Sequence, residues 1–256
     1  MRLLPILLIA MVATICGAAE PNTSNPSFAP GKESLLQFDT QAINCKCIVY
    51  VPVDYNDDCN WPVLFFYHGK GAPLSAERIK IATQGKNFVI VCMEFAPTTA
   101  ETMNPGQYRL YLQREIKNLA FVRHYLQTWL KIDPKMTVLA GFSRGGWLVA
   151  DILNFRPLIA AAMVDIGAGY QEWLMKDSPS LVGKYVYIGA GETDENLLAA
   201  KKAIKYFANQ GAEVTYEVYV GVGHKFKADS PKLQNWLSDL RKKLDSSSAK
   251  KPVSES

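Results

Sequence analysis

Ser143 stands between glycines in Gly141-Phe142-Ser143-Arg144-Gly145-Gly146, where an apolar run gives way to a helix-like pattern. A Gly-x-Ser-x-Gly match alone arises by chance about 0.1 times in a chain of this length. Its context adds the meaning: a strand leads into it and a helix leads out, as a nucleophile turn requires. A serine on so sharp a turn is forced into an unfavourable backbone conformation. The flanking glycines let strand and helix approach closely, and the hydroxyl projects clear of the sheet. The positive end of the following helix then favours developing negative charge. The plainer alternative is a glycine-rich turn with Ser143 as an ordinary helix cap.

A serine hydroxyl is a poor nucleophile without a base. His124 falls inside a long helical pattern, and His68 belongs to a His-Gly turn after an early strand. His224, in Gly221-Val222-Gly223-His224, follows the last predicted strand and is the expected general base. A base of this kind needs a carboxylate to orient its ring. Asp194 in Gly191-Glu192-Thr193-Asp194 is the preferred partner, Glu192 comes next, and Asp165 is a third candidate. The chain order Ser143, Asp194, His224 is the serine–acid–histidine order of one fold class. A tetrahedral oxyanion needs donors. The backbone N–H of Arg144 is one candidate. The other comes from His68-Gly69-Lys70-Gly71, with the N–H of Lys70 preferred over that of Gly71. The Lys70 and Arg144 side chains would also suit an anionic substrate.

These residues need elements to bring them together. Residues 35–52 read as two antiparallel strands, and Asp54-Tyr55-Asn56-Asp57-Asp58-Cys59-Asn60 as a turn. The continuous apolar runs from Trp61, Asn87 and Met136 read as strands covered on both faces. The stretch from Tyr108 to Ile132 reads as a long amphipathic helix with Leu112, Ile116, Leu119, Leu126 and Leu130 in its stripe. A helix is predicted from Arg144 to Phe155, and two strands follow it. A helix spans about residues 195–210, and a last strand ends at Val220. Ser230 is the expected cap of the final helix, with Pro231 at its first position. Strand and helix alternate from residue 62 onward. The predicted class is α/β, a doubly wound, mostly parallel sheet with an antiparallel N-terminal edge. His68, Ser143, Glu192, Asp194 and His224 all fall at or just after predicted strand ends, where such sheets bind ligands.

Composition is that of an ordinary globular protein, 48% hydrophobic and 20% charged. The net charge of +4 partly reflects Lys242, Lys243, Lys250 and Lys251. No basic stripe with interleaved aromatics points to nucleic acid. Arg2 and the apolar run from Leu3 to Ile15, followed by small residues, predict a signal peptide over 1–19, removed on export to a periplasm or the medium, with no stable membrane insertion after cleavage. Residues 20–34 read as a flexible leader, 35–245 as the single domain and 246–256 as a disordered tail. Cys45, Cys47, Cys59 and Cys92 remain after cleavage. A local bridge from Cys59 to Cys45 or Cys47 is plausible, and Cys92 reads as a buried thiol. Cysteine and histidine do not cluster at metal-ligand spacing, so no metal and no cofactor is expected.

The motifs around His68, Ser143, Asp194 and His224 together resemble those of the α/β-hydrolase superfamily, over about residues 35–245. Within it the chain is similar to exported esterases of the polyhydroxybutyrate-depolymerase-like, feruloyl-esterase-like and dienelactone-hydrolase-like groups. The resemblance implies a metal-independent serine hydrolase that cleaves carboxylic esters through an acyl-serine intermediate. Gly145-Gly146 is also seen in prolyl-oligopeptidase-type peptidases, which keeps an amide substrate open. A non-catalytic binding protein on the same scaffold is the third reading. Only a short stretch separates the strands ending near Ala168 and beginning near Lys184. No large lid insertion is therefore expected, and an open site would suit bulky or polymer-bound esters beside small ones.

Overall fold

The computed structural model describes residues 26–41, 43–95, 103–174 and 180–248. Eight strands form one sheet: β1 (Glu33–Asp39), β2 (Asn44–Tyr50), β3 (Trp61–Tyr67), β4 (Val89–Met93), β5 (Ile132–Phe142), β6 (Ala162–Ile166), β7 (Tyr185–Gly191) and β8 (Glu213–Tyr219). Their spatial order is β1-β2-β4-β3-β5-β6-β7-β8. β1 pairs antiparallel with β2, and β2 with β4, while every other pairing is parallel. The expected mostly parallel sheet with an antiparallel N-terminal edge is the fold observed.

All seven residues of β3 and all five of β4 are buried. Successive side chains point to opposite faces. Val63, Phe65 and Tyr67 enter one core, which also holds Leu112, Leu119 and Leu126 of α2 (Pro105–Gln127). Residues of α3 (Arg144–Phe155) and α4 (Leu197–Asn209) complete that layer. Leu64 and Phe66 enter the other, beside α1 (Glu77–Thr83) and α5 (Pro231–Ser248). Helices on both faces explain why these strands read as unbroken apolar runs rather than as alternation. β4 lies on one side of β3 and β5 on the other, so the chain reverses direction across the sheet at β3/β5. That crevice, at the strands' C-terminal ends, lies between the turn at His68 and the turn at Ser143.

Several boundaries differ from the sequence reading. α2 starts three residues before Tyr108, because Asn104 caps it. Its side chain accepts from Gln107 N–H while the Gln107 side chain accepts from Asn104 N–H, a reciprocal capping box, with Pro105 at the first position. Four of the five predicted stripe residues on or beyond this helix are buried, and Ile116 is partly so. α1 has no counterpart in the sequence reading; at seven residues it is too short for a clear period. β1 begins at Glu33, inside the predicted leader, and Gly31 N–H already donates to Val51 O at 2.8 Å. α5 is capped by Ser230, whose Oγ accepts from Leu233 N–H at 3.3 Å, and runs to Ser248, beyond the predicted domain end at 245. The predicted signal peptide and the tail from 249 onward lie outside the described residues. Among the described residues no helix is long and apolar enough to cross a membrane.

The expected local disulfide is not formed: Cys45, Cys47, Cys59 and Cys92 are all free thiols. β2 runs antiparallel to β4, so it carries Cys45 and Cys47 to the end of the sheet where β3 and β4 finish. Cys59 precedes β3 and sits at the opposite end, exposed, 3.6 Å from the Arg241 guanidinium. Sequence proximity is undone by strand direction. Cys92 is buried, as expected.

Besides Asp194, three carboxylates are enclosed among the described residues: Glu115 on α2, Asp151 on α3 and Asp165 on β6. Burial pushes Glu115 and Asp151 up to about 7. Burial, with Asp151 nearby, also raises Asp165 well above the usual carboxylate range. Each group holds a proton in the folded chain where the unfolded chain has released it. The contribution of Glu115 and Asp151 to stability is therefore full below about pH 4 and is lost as pH rises through about 7. The urea midpoint is expected to fall between about pH 5 and about pH 8, and Asp151→Asn should shrink that fall. An equal fall in both proteins would contradict the assignment.

Candidate active site

Ser143 has φ 55° and ψ −120°, a backbone conformation that side-chain-bearing residues rarely adopt. The surroundings hold it there. Its N–H donates to Ile166 O at 2.8 Å, tying the turn to the end of β6. A Cβ added to Gly141 would lie 2.2 Å from Gly145 O, and one on Gly145 would lie 2.0 Å from Tyr67 O. Only glycine lets β5, α3 and β3 meet this closely. Ser143 occupies the cap position of α3, yet its side chain makes no capping bond. Its Oγ lies 2.8 Å from His224 Nε2 instead.

His224 sits on the loop after β8. Its Nδ1 lies 2.9 and 3.0 Å from the two carboxylate oxygens of Asp194, on the loop after β7. An ionised carboxylate can only accept, so this contact places the proton on Nδ1 and leaves Nε2 to accept from the serine hydroxyl. The Asp194 side chain is fully enclosed, and its Oδ1 also accepts from Asn196 N–H at 2.8 Å. The two loops are joined by Glu192 N–H to Tyr219 O at 2.9 Å and Thr193 N–H to Val222 O at 3.0 Å.

The other candidate acids lie elsewhere. Glu192 is exposed and accepts from Gly221 N–H at 2.9 Å, closing the same loop pair from outside. Asp165 lies within β6, and period two turns it toward α3; a Cβ on Gly146 would lie 2.5 Å from its Oδ1. His224 approaches over the opposite face. His124 is exposed on α2. His68 turns its Nδ1 to Gly69 O at 2.8 Å and sets its ring against Phe95.

Phe142 is a site residue that the sequence reading missed. Its ring stacks on His224 at 5.0 Å and 26°, and on Phe226 at 6.0 Å and 20°. Phe226 in turn stacks on Phe66. The imidazole thus rests on an aromatic column rising from the α5 side of the sheet. The available signal was an aromatic beside each partner, Phe142 next to Ser143 and Phe226 two residues after His224.

Lys70, Ser143, Arg144, Trp147, Gln171, Glu195 and Asn196 line a cleft of about 390 Å³. A Cβ on Gly69 would lie 3.4 Å from Ser143 Cβ, so the loop carrying Lys70 runs directly beside Ser143. Arg144 opens α3, so its N–H belongs to the helix's positive end. Partial burial lowers the Arg144 guanidinium below its usual range, though it stays charged. A wider cleft of about 600 Å³ adjoins the first through Trp147, Gln171 and Glu195. The described stretch between β6 and β7 holds one 3-10 turn, Glu172–Leu174, and no large lid. Among the described residues no three His, Cys, Asp or Glu side chains gather as a metal cage.

A hydroxyl on a strained strand-to-helix turn, a histidine after the last strand and a doubly wound sheet define an α/β-hydrolase. Residues 98–252 match the dienelactone hydrolase family, and the chain belongs to that family. It is accordingly a hydrolase of the carboxylesterase type. Solved structures share the fold at low identity. A thermostable esterase is 17% identical with a TM-score of 0.60; the match covers 81% of this chain and 62% of that one. An arylesterase is 14% identical with a TM-score of 0.61, covering 86% and 87%. An esterase from Pyrobaculum calidifontis is 13% identical with a TM-score of 0.62, again covering 86% and 87%. No curated protein matches the chain.

Proposed function

We propose that the protein is an exported serine carboxylesterase in which Ser143, His224 and Asp194 form the catalytic triad. The observation that carries this reading is the unbroken hydrogen-bonded line from Ser143 Oγ through the His224 ring to Asp194. Ser143 Oγ attacks the ester carbonyl carbon while His224 Nε2 takes the hydroxyl proton. Asp194 stabilises the imidazolium so formed. The carbonyl π electrons move onto oxygen, and the N–H groups of Arg144 and Lys70 hold that charge. The intermediate collapses, the carbon–oxygen bond to the alcohol breaks, and His224 returns its proton to the leaving oxygen. A water molecule then attacks the acyl-serine with His224 again as base. The acid is released and the serine hydroxyl restored. The apolar N-terminal stretch with its small-residue end supports export. The open cleft supports bulky or polymer-borne alcohols as well as small ones.

The reading is tested by assaying p-nitrophenyl acetate and butyrate beside aminoacyl p-nitroanilides, with a fluorophosphonate probe in parallel. Ester turnover with labelling at Ser143 is the expected result. Turnover of anilides alone would make the protein a peptidase. An unlabelled, inactive protein would make it a binding protein on a hydrolase scaffold.

A further inference from the structure

Resting on the esterase reading, we propose that the wider cleft beside Ser143 is a subsite for a sugar ring, and that the substrate is an ester borne by a carbohydrate. The cleft is continuous with the Ser143 cleft, since Trp147, Gln171 and Glu195 line both. Trp147 lies one helical turn beyond the nucleophile on α3, so whatever lies on its ring is held next to the reacting carbonyl.

The wall of this cleft holds apolar side chains partly out in water. Trp173 is 36% exposed, Leu198 is 68% exposed, and Trp147 and Tyr170 are half-buried. Two of the rings are nevertheless pinned from behind. Tyr170 stacks on Tyr206 at 4.3 Å and 19°, and Trp173 sets an edge against Tyr108 at 5.5 Å. Gln171 N–H donates to Asp151 Oδ1 at 3.0 Å, and Tyr108 O–H donates to Asp151 Oδ2 at 2.6 Å. Asp151 is completely buried. Enclosing a carboxylate is unfavourable, and a half-exposed indole contributes little to folding. A fold that accepts both in order to hold this wall in place is preorganised for a ligand.

The chemistry of the wall narrows the ligand. A lipid tail or bare aryl group is best served by an enclosed apolar slot. This cleft is open, and its rings are edged by groups of both hydrogen-bonding kinds. Gln171 donates and accepts, Glu195 accepts, and Lys202 and Glu172 stand 3.4 Å apart at the rim. A pyranose presents the matching surface, a flat C–H face ringed by hydroxyls that donate and accept.

The test separates sugar binding from catalysis. In the Ser143→Ala protein, cellotetraose, xylotetraose, mannotetraose and chitotetraose are titrated while tryptophan fluorescence is followed. At least one is expected to bind with a Kd of about 1 mM or tighter. Trp173→Ala or Leu198→Arg, made in the same background, should weaken it about tenfold. Leu198 is so exposed that its replacement leaves the core intact, which guards against a Trp173→Ala chain that does not fold. No binding of any tetrasaccharide at about 5 mM overturns the proposal. So does a change of less than about threefold in both variants, or binding of 1-naphthol with no sugar bound. The esterase reading fails separately, if the wild-type protein does not turn over p-nitrophenyl acetate while a tetrasaccharide still binds.

Discussion

Ser143→Ala is expected to lower kcat on p-nitrophenyl acetate by about 10⁴-fold or more. The change removes the one atom that His224 Nε2 faces at 2.8 Å, so no acyl-enzyme can form. What remains is hydrolysis by water in a site that still polarises the carbonyl. The fold should survive. The bond from residue 143 N–H to Ile166 O is made by the backbone, and alanine meets the same strain at φ 55° as serine does. Melting temperature and turnover measured on one preparation therefore separate the effects. Activity within tenfold of wild type in a normally folded Ser143→Ala protein would remove Ser143 from the mechanism.

Asp194→Asn is expected to lower kcat by about 10²–10⁴-fold. The carboxylate now accepts from Nδ1 with both oxygens and so selects the tautomer whose Nε2 can take a proton. An amide can offer its N–H₂ to Nδ1 instead. That arrangement moves the ring proton to Nε2 and leaves nothing to receive the serine proton. The amide oxygen can still accept from Asn196 N–H, so the loop should hold its shape. Glu192→Gln is the matched comparison. Glu192 holds Gly221 N–H from the exposed side of the same loop pair, and its replacement should change kcat less than about twofold. Comparable losses in the two variants would point to loop disruption rather than to a role for Asp194 at the ring.

The covered strands, the Gly-x-Ser-x-Gly turn and the Ser230-Pro231 helix start were legible because each is encoded by neighbours in the chain. A run of apolar residues, a glycine beside a turn or a proline after a cap acts over a few residues. The start of α2 is legible in principle, since Asn104, Pro105 and Gln107 carry a capping signal ahead of the apolar stripe. α1 had too few residues to show its period. The local bridge expected at Cys59 does not form because nearness in sequence is not nearness in space, whereas Cys92 is the buried thiol its strand implies.

Order along the chain by itself determined which residue types stand at strand ends, and hence the short set from which a nucleophile, a base and an acid could be drawn. Which of Asp165, Glu192 and Asp194 meets the His224 ring was decided only by the folded sheet. Strand periodicity turns Asp165 toward α3, an exposed loop takes Glu192 outward, and β7 beside β8 sets Asp194 behind His224. The stacking of Phe142 under that ring and the convergence of Trp147 with Trp173 were decided in the same way. These pairings join residues that are far apart in the chain, and the physical reason they escape the sequence is that strand order and strand face, which no local pattern encodes, set which side chains meet.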